Sequence, residues 1–115
     1  MEMKCPIQEV KERLAEFPNF CGIVGFTSTH GAIGATAKIC VHNGKIHKRG
    51  SPAVYWDNGG TEWFLDGLLH REDGPAIIVY GILIWGINGK KFYNEKKWEI
   101  ALREYKLEKF LEYAL

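Results

Sequence analysis

The sequence predicts an α+β protein: a small antiparallel β-meander of about three hairpin repeats, 22–23 residues each, flanked by an N-terminal and a C-terminal helix. Three observations predict it. The phrase Asn43-Gly44-Lys45-Ile46-His47-Lys48-Arg49-Gly50-Ser51-Pro52-Ala53-Val54 returns 23 positions later as Asp66-Gly67-Leu68-Leu69-His70-Arg71-Glu72-Asp73-Gly74-Pro75-Ala76-Ile77, and Asn88-Gly89-Lys90 opens it again after 22 more. Each opening pair, Asn-Gly or Asp-Gly, supplies the positive backbone angles of a two-residue type I′ hairpin. Behind Asn94, residues 95–113 contain no Gly or Pro and keep apolar residues at helical spacing.

The 115 residues form one domain, divided into a helix over 1–17, a degenerate β segment over 18–42, β-repeats over 43–93 and a C-terminal helix over 94–115. Pro6 suits a first helical turn, and Ile7, Val10, Leu14 and Phe17 follow at spacings of three and four until Pro18 stops the helix. From Phe20 to His42 small, β-branched and apolar residues are broken by glycines, which predicts short strands and a worn first copy of the repeat. The strands ahead of Asn43, Asp66 and Asn88 each run into a similar turn. Between copies, Asp57-Asn58-Gly59-Gly60 forms one connection, and the next is expected to shrink to Gly81 alone. At the C-terminus Asn94 is the N-cap, Trp98, Ala101, Leu102 and Tyr105 share one stripe, and Leu107, Phe110, Leu111 and Ala114 share a neighbouring one. So wide an apolar face must be covered by the sheet or by a second copy of the chain.

Composition excludes some classes. Fifteen Lys and Arg stand against fourteen Asp and Glu, a net charge of +1, so no global field draws the chain to nucleic acid or to an anionic membrane. Phe17 to Ala37 carries no charged residue, yet its glycines, Pro18 and hydroxyl side chains fit β-structure and not a membrane span. The charged opening Met1-Glu2-Met3-Lys4 reads as no secretory signal, and three Cys, an odd number, are expected free in a reducing cytoplasm.

The His-Arg-x-Asp-Gly-Pro-Ala phrase at 70–76, followed by a Trp-containing strand and a new Asn-Gly-Lys, resembles the short MORN-like repeats. It is most similar to the variety found in many bacteriophage and giant-virus proteins, in which the last copy commonly runs through Asn-Gly-Lys into a charged helix. The resemblance covers roughly 43–95. It departs from the pattern at Lys48-Arg49-Gly50-Ser51, where Arg-x-Asp-Gly is usual, and in the third copy, which lacks the His. It implies a small twisted meander in a viral, accessory setting and no catalytic activity.

His47 and His70 hold equivalent places, which puts them in a ladder whose rings tie turns or neighbouring strands, in preference to acid, base or ligand duty. The ligand-binding alternative gathers Lys45, Lys48, Arg49, Arg71, Lys90 and Lys91 beside Trp56, Trp63, Trp85, Tyr55 and Tyr80, with His47 and His70, because a guanidinium beside a planar ring suits a nucleotide-like anion, although Trp63 and Trp85 are expected in the core. Residue by residue, aromatics in the core and solvated bases is the preferred alternative. Cys21, His30, Cys40 and His42 lack zinc-site spacing, and Cys40 with His42 makes a candidate thiolate couple without an oxyanion motif, so a core Cys beside a surface His is preferred. Gly22 to Gly34 holds neither a P-loop nor a dinucleotide fingerprint.

No cofactor, metal or catalytic residue is therefore expected. The expectation is a non-enzymatic, cytoplasmic binding module, phage-encoded, that occupies a host protein or a ligand as a host-defence inhibitor. Its partner or homodimer face would be Trp98, Leu102, Tyr105 and Phe110. A sponge for an anionic nucleotide-like signal is the alternative, and a small His/Cys hydrolase comes last.

Overall fold

The computed structural model describes residues 18–27 and 33–114, so the expected helix over 1–17 lies outside the described residues, as do Cys5 and His30. The described chain is mostly antiparallel β-sheet closed by one C-terminal helix. In order come β1 (Phe20–Thr27), β2 (Ile33–His42), β3 (Lys45–Ile46), β4 (Val54–Trp56), β5 (Thr61–Glu62), β6 (Phe64–Leu65), β7 (Leu68–Leu69), β8 (Ile77–Val79), β9 (Ile82–Ile87), β10 (Lys90–Phe92) and α1 (Glu95–Ala114). The main sheet runs β1-β2-β4-β5-β8-β9-β10, with β3 paired to β2, while β6 and β7 make a separate hairpin.

The turn dipeptides behave as local chemistry requires. Asn43, Asp66 and Asn88 take φ of 51°, 49° and 48°, and the glycines after them are also left-handed, so all three hairpins (β2–β3, β6–β7, β9–β10) close through two residues. The connection expected at Gly81 alone is corrected. Val79 pairs with Ile82, which makes the loop Tyr80-Gly81, and Tyr80 itself adopts a φ of 48°. Strand register imposes on an aromatic residue the angle that Asn or Asp accepts at the other turns.

Side-chain alternation places Val24, Ala37, Ile39, Val41 and Val54 in one buried cluster, with Phe20, Ile46, Trp56 and Phe64 packed against it. Ala53 and Ala76 are fully buried where each Pro-Ala enters a strand. Gly86 is needed for close approach: a Cβ there would stand 2.8 Å from Leu69 Cγ and 3.0 Å from the Leu69 carbonyl oxygen.

A second cluster docks the helix. Asn94 Oδ1 accepts the N–H groups of Lys96 and Lys97 at 2.9 and 3.2 Å, which is the expected N-cap. Trp98 is buried against Trp85 and Ile87, and Phe92, Leu102 and Tyr105 complete the contact. Beyond Tyr105 the same helical stripe turns polar, with Lys109 over the Tyr105 ring and paired to Glu112 at 3.5 Å. The apolar seam thus ends about halfway along the helix.

The expectation of free thiols is corrected too. Cys21 and Cys40 face each other across the β1–β2 register and are joined in a disulfide. Cys40 is buried and His42 on the same strand is exposed, as preferred over a thiolate couple, and a disulfide sulfur is no thiolate. Among the described residues no helix is long and apolar enough to cross a membrane.

Candidate binding cleft

The cleft is built by one hydrogen bond made at successive turns. His70 Nδ1 accepts the N–H of Asn88 at 3.0 Å, and His47 Nδ1 accepts the N–H of Asp66 at 2.9 Å. A backbone N–H can only donate, so each ring nitrogen facing it is bare, and the neutral ring carries its proton on Nε2. At His70 that Nε2 lies 3.1 Å from Glu72 Oε2, to which it donates. The next residue of each turn repeats the clamp through the backbone: Gly67 N–H donates to the Ile46 carbonyl at 2.8 Å and Gly89 N–H to the Leu69 carbonyl at 2.9 Å. Asn19 stands in for a histidine at the head of the series. Its Oδ1 accepts the Asn43 N–H at 3.1 Å, while Gly44 N–H reaches the Pro18 carbonyl at 2.8 Å.

Held in this way, the loop after His70 is internally satisfied. The Arg71 guanidinium lies 4.0 Å from the Trp63 ring centroid, its Nε donates to Asp73 Oδ1 at 2.7 Å, and its Nη1 donates to the Pro75 carbonyl at 3.0 Å. A Cβ at Gly74 would sit 3.2 Å from Arg71 Cζ, so any larger residue there would press on the guanidinium. The hydrogen bond from Arg71 holds the Asp73 carboxyl below its ordinary range against the opposing effect of burial, and the charge of Arg71 and Asp73's own backbone N–H add to the downward pull.

Facing this loop is the corresponding stretch of the preceding phrase, and the two enclose an open cleft of about 280 Å³. Lys48, Arg49 and Gly50 form one side, Arg71, Glu72 and Asp73 the other, with Trp63, Leu65 and His70 between. A neighbouring cleft of about 260 Å³ shares Lys48 and adds Lys38, Ser51 and Tyr55. Unlike Arg71, neither Lys48 nor Arg49 has a side-chain hydrogen bond or ion pair among the described residues.

Of the expected ligand residues, Lys48, Arg49, Trp63, His70 and Arg71 therefore share one cleft. Four others lie elsewhere. His47 is spent on its turn, Lys45 lays its stem beside Gly67, and Trp56 packs on the core while its indole N–H donates to Glu62. Tyr80 sits at its turn, 83% exposed. The aromatic in the cleft is Trp63, and one face of its ring already carries Arg71. On the helix, Trp98, Leu102 and Tyr105 are used against the chain's own sheet, whereas Phe110 is 65% exposed.

Two participants were not legible as such. Asn19 lies 28 positions before His47, off the 23-residue period, and the Asp73 carboxylate is marked only by the Arg-x-Asp spacing. Among the described residues no group of three or more His, Cys, Asp or Glu side chains is arranged to hold a metal ion. No family model, no curated protein and no solved structure matches the chain.

Proposed function

We propose that this chain is a non-enzymatic binding module of the MORN-like repeat kind, phage-encoded, whose β-units serve as a scaffold and whose C-terminal helix occupies a host protein. The turn-to-turn bonds from Asn19, His47 and His70 support a stacked-unit reading, because each unit's turn is satisfied only by the unit before it. The single observation that carries the functional reading is the two-sidedness of α1. One stripe, Trp98, Leu102 and Tyr105, is consumed by the sheet. The opposite side carries Ile100, Leu107, Phe110 and Leu111, which are 57%, 58%, 65% and 47% exposed. Positions 100, 107 and 114 with 110 and 111 repeat at the interval of a helix-on-helix seam, so the fitting partner presents an apolar helical stripe or groove.

A cytoplasmic setting, expected from the sequence, is harder to reconcile with the Cys21–Cys40 bond, which suits an oxidising compartment. The experiment compares the wild-type chain with Leu107→Glu/Phe110→Glu in capture from a host lysate, with captured proteins identified by mass spectrometry. Since both side chains are exposed, the thermal midpoint should not move. A defined partner held by the wild type and lost in the variant supports the proposal, and identical capture by both refutes it. A wild-type dimer that the substitutions convert to monomer would instead assign the stripe to a second copy of the chain.

A further inference from the structure

Two loops at equivalent places in the repeated phrase handle their cations in opposite ways. In 71–75 the Arg71 guanidinium is neutralised from within, because Asp73 accepts from its Nε at 2.7 Å and the Pro75 carbonyl accepts from Nη1 at 3.0 Å. Aligning the phrases at their offset of 23 puts Lys48 at the place of Arg71, Arg49 at Glu72, Gly50 at Asp73 and Ser51 at Gly74. Both acids are gone. One is replaced by a cation and the other by a residue with no side chain.

The backbone follows suit. Gly50 is left-handed with a φ of 77°, and no heavy atom lies within 4 Å of where its Cβ would be, so the space that a carboxylate would claim is open. The N–H groups of Arg49, Gly50 and Ser51 donate to no protein acceptor among the described residues, and neither does the Lys48 ammonium or the Arg49 guanidinium. Successive free N–H groups beside a left-handed residue are an arrangement suited to oxyanions. Lys38, across the adjoining cleft that Lys48 and Ser51 also line, adds a third positive charge.

We propose that loop 48–51 binds an exogenous oxyanion of the phosphate-monoester class, where the aligned loop 71–74 carries a carboxylate of its own. Lys48 and Arg49 supply the charge, and the backbone N–H groups with the Ser51 hydroxyl supply the directed donors. A dianion is favoured over a carboxylate because Lys48 and Arg49 adjoin the free N–H groups while Glu72 and Asp73, which line the same cleft, are committed to His70 and Arg71. This site is separate from the exposed stripe of α1 and does not rest on it.

Titrating the ¹⁵N-labelled full chain with inorganic phosphate, at ionic strength matched with chloride, tests the site. Saturable shifts confined to the amides of 48–51 and the side chain of Arg49 are expected, with acetate at least about fivefold weaker. Lys48→Gln/Arg49→Gln should abolish saturation while leaving the rest of the spectrum in place, since both side chains are exposed. Gly50→Asp should weaken phosphate binding by placing a negative charge beside Lys48 and Arg49, and Asp is among the side chains that tolerate the left-handed region. Arg71→Gln should weaken phosphate binding several-fold, because it releases the Asp73 carboxylate into the same cleft. Phosphate shifts that survive in the Lys48→Gln/Arg49→Gln chain, or acetate binding as tight as phosphate, would overturn the proposal.

Discussion

Replacing His70 by Ala tests the clamp most directly. The ring is 3% exposed, its Nδ1 holds the Asn88 N–H at 3.0 Å, and it lies 4.9 Å from the Tyr105 ring centroid. Losing the acceptor costs about 1 kcal/mol for the bond, and more where the stranded N–H is kept from water. Losing a buried ring of this size adds about 2 kcal/mol, below the 3–5 kcal/mol typical of Phe→Ala, because imidazole is smaller and more polar. The sum is roughly 3 kcal/mol for His70→Ala. His47 makes the same bond at 2.9 Å, but its side chain is 14% exposed and its ring neighbour is the exposed His42, so His47→Ala should cost only about 1–1.5 kcal/mol. His47→Asn should recover most of that, since Asn19 already performs the task with Oδ1. Urea unfolding followed by tryptophan fluorescence reads all three, with the slope unchanged. Equal losses for the two Ala variants, or a His70→Ala loss under about 1 kcal/mol, would refute the clamp as the bond that transmits order from turn to turn.

Two further outcomes follow from the same geometry. Because Arg71 holds the Asp73 carboxyl below its ordinary value of 3.8, the pair's contribution is present above that pH and is lost as pH falls through the folded-state value. Asp73→Asn should therefore lower the urea midpoint near neutrality, with the gap to wild type closing under acid; a gap that stays constant down to about pH 3 contradicts the pairing. The Cys21–Cys40 bond closes a loop with a separation of 19 residues, so Cys21→Ser/Cys40→Ser should cost about 3 kcal/mol. Alkylation of the unfolded chain should label Cys5 alone before reduction and all three cysteines after it, whereas three labels without reductant would remove the bond from the account.

What was readable in the chain was whatever is decided within a few residues. Asn43-Gly44, Asp66-Gly67 and Asn88-Gly89 announce left-handed pairs because few other side chains accept those angles, and Asn94 announces a cap because its short oxygen reaches the next free N–H groups. The charged half of the cleft was legible for a similar reason: Lys48 and Arg71 hold equivalent places in the phrase, Arg49 follows Lys48, and all three line one cleft. The neutralisation of Arg71 by Asp73 was a matter of distance and orientation, which spacing alone does not supply.

The sequence by itself determined the turns, the helix cap, the rhythm of the repeated phrase and the near-balance of charge, all of which follow from local angles and composition. Only the tertiary structure decided that Cys21 meets Cys40, that Asn19 serves as the first histidine's substitute, that Tyr80 is driven to a positive φ, and which stripe of α1 stays wet. The physical reason is common to these: each depends on strand register or on the line along which the helix meets the sheet. Register is a property of two segments at once, and a shift of one residue would exchange every inward side chain for its outward neighbour.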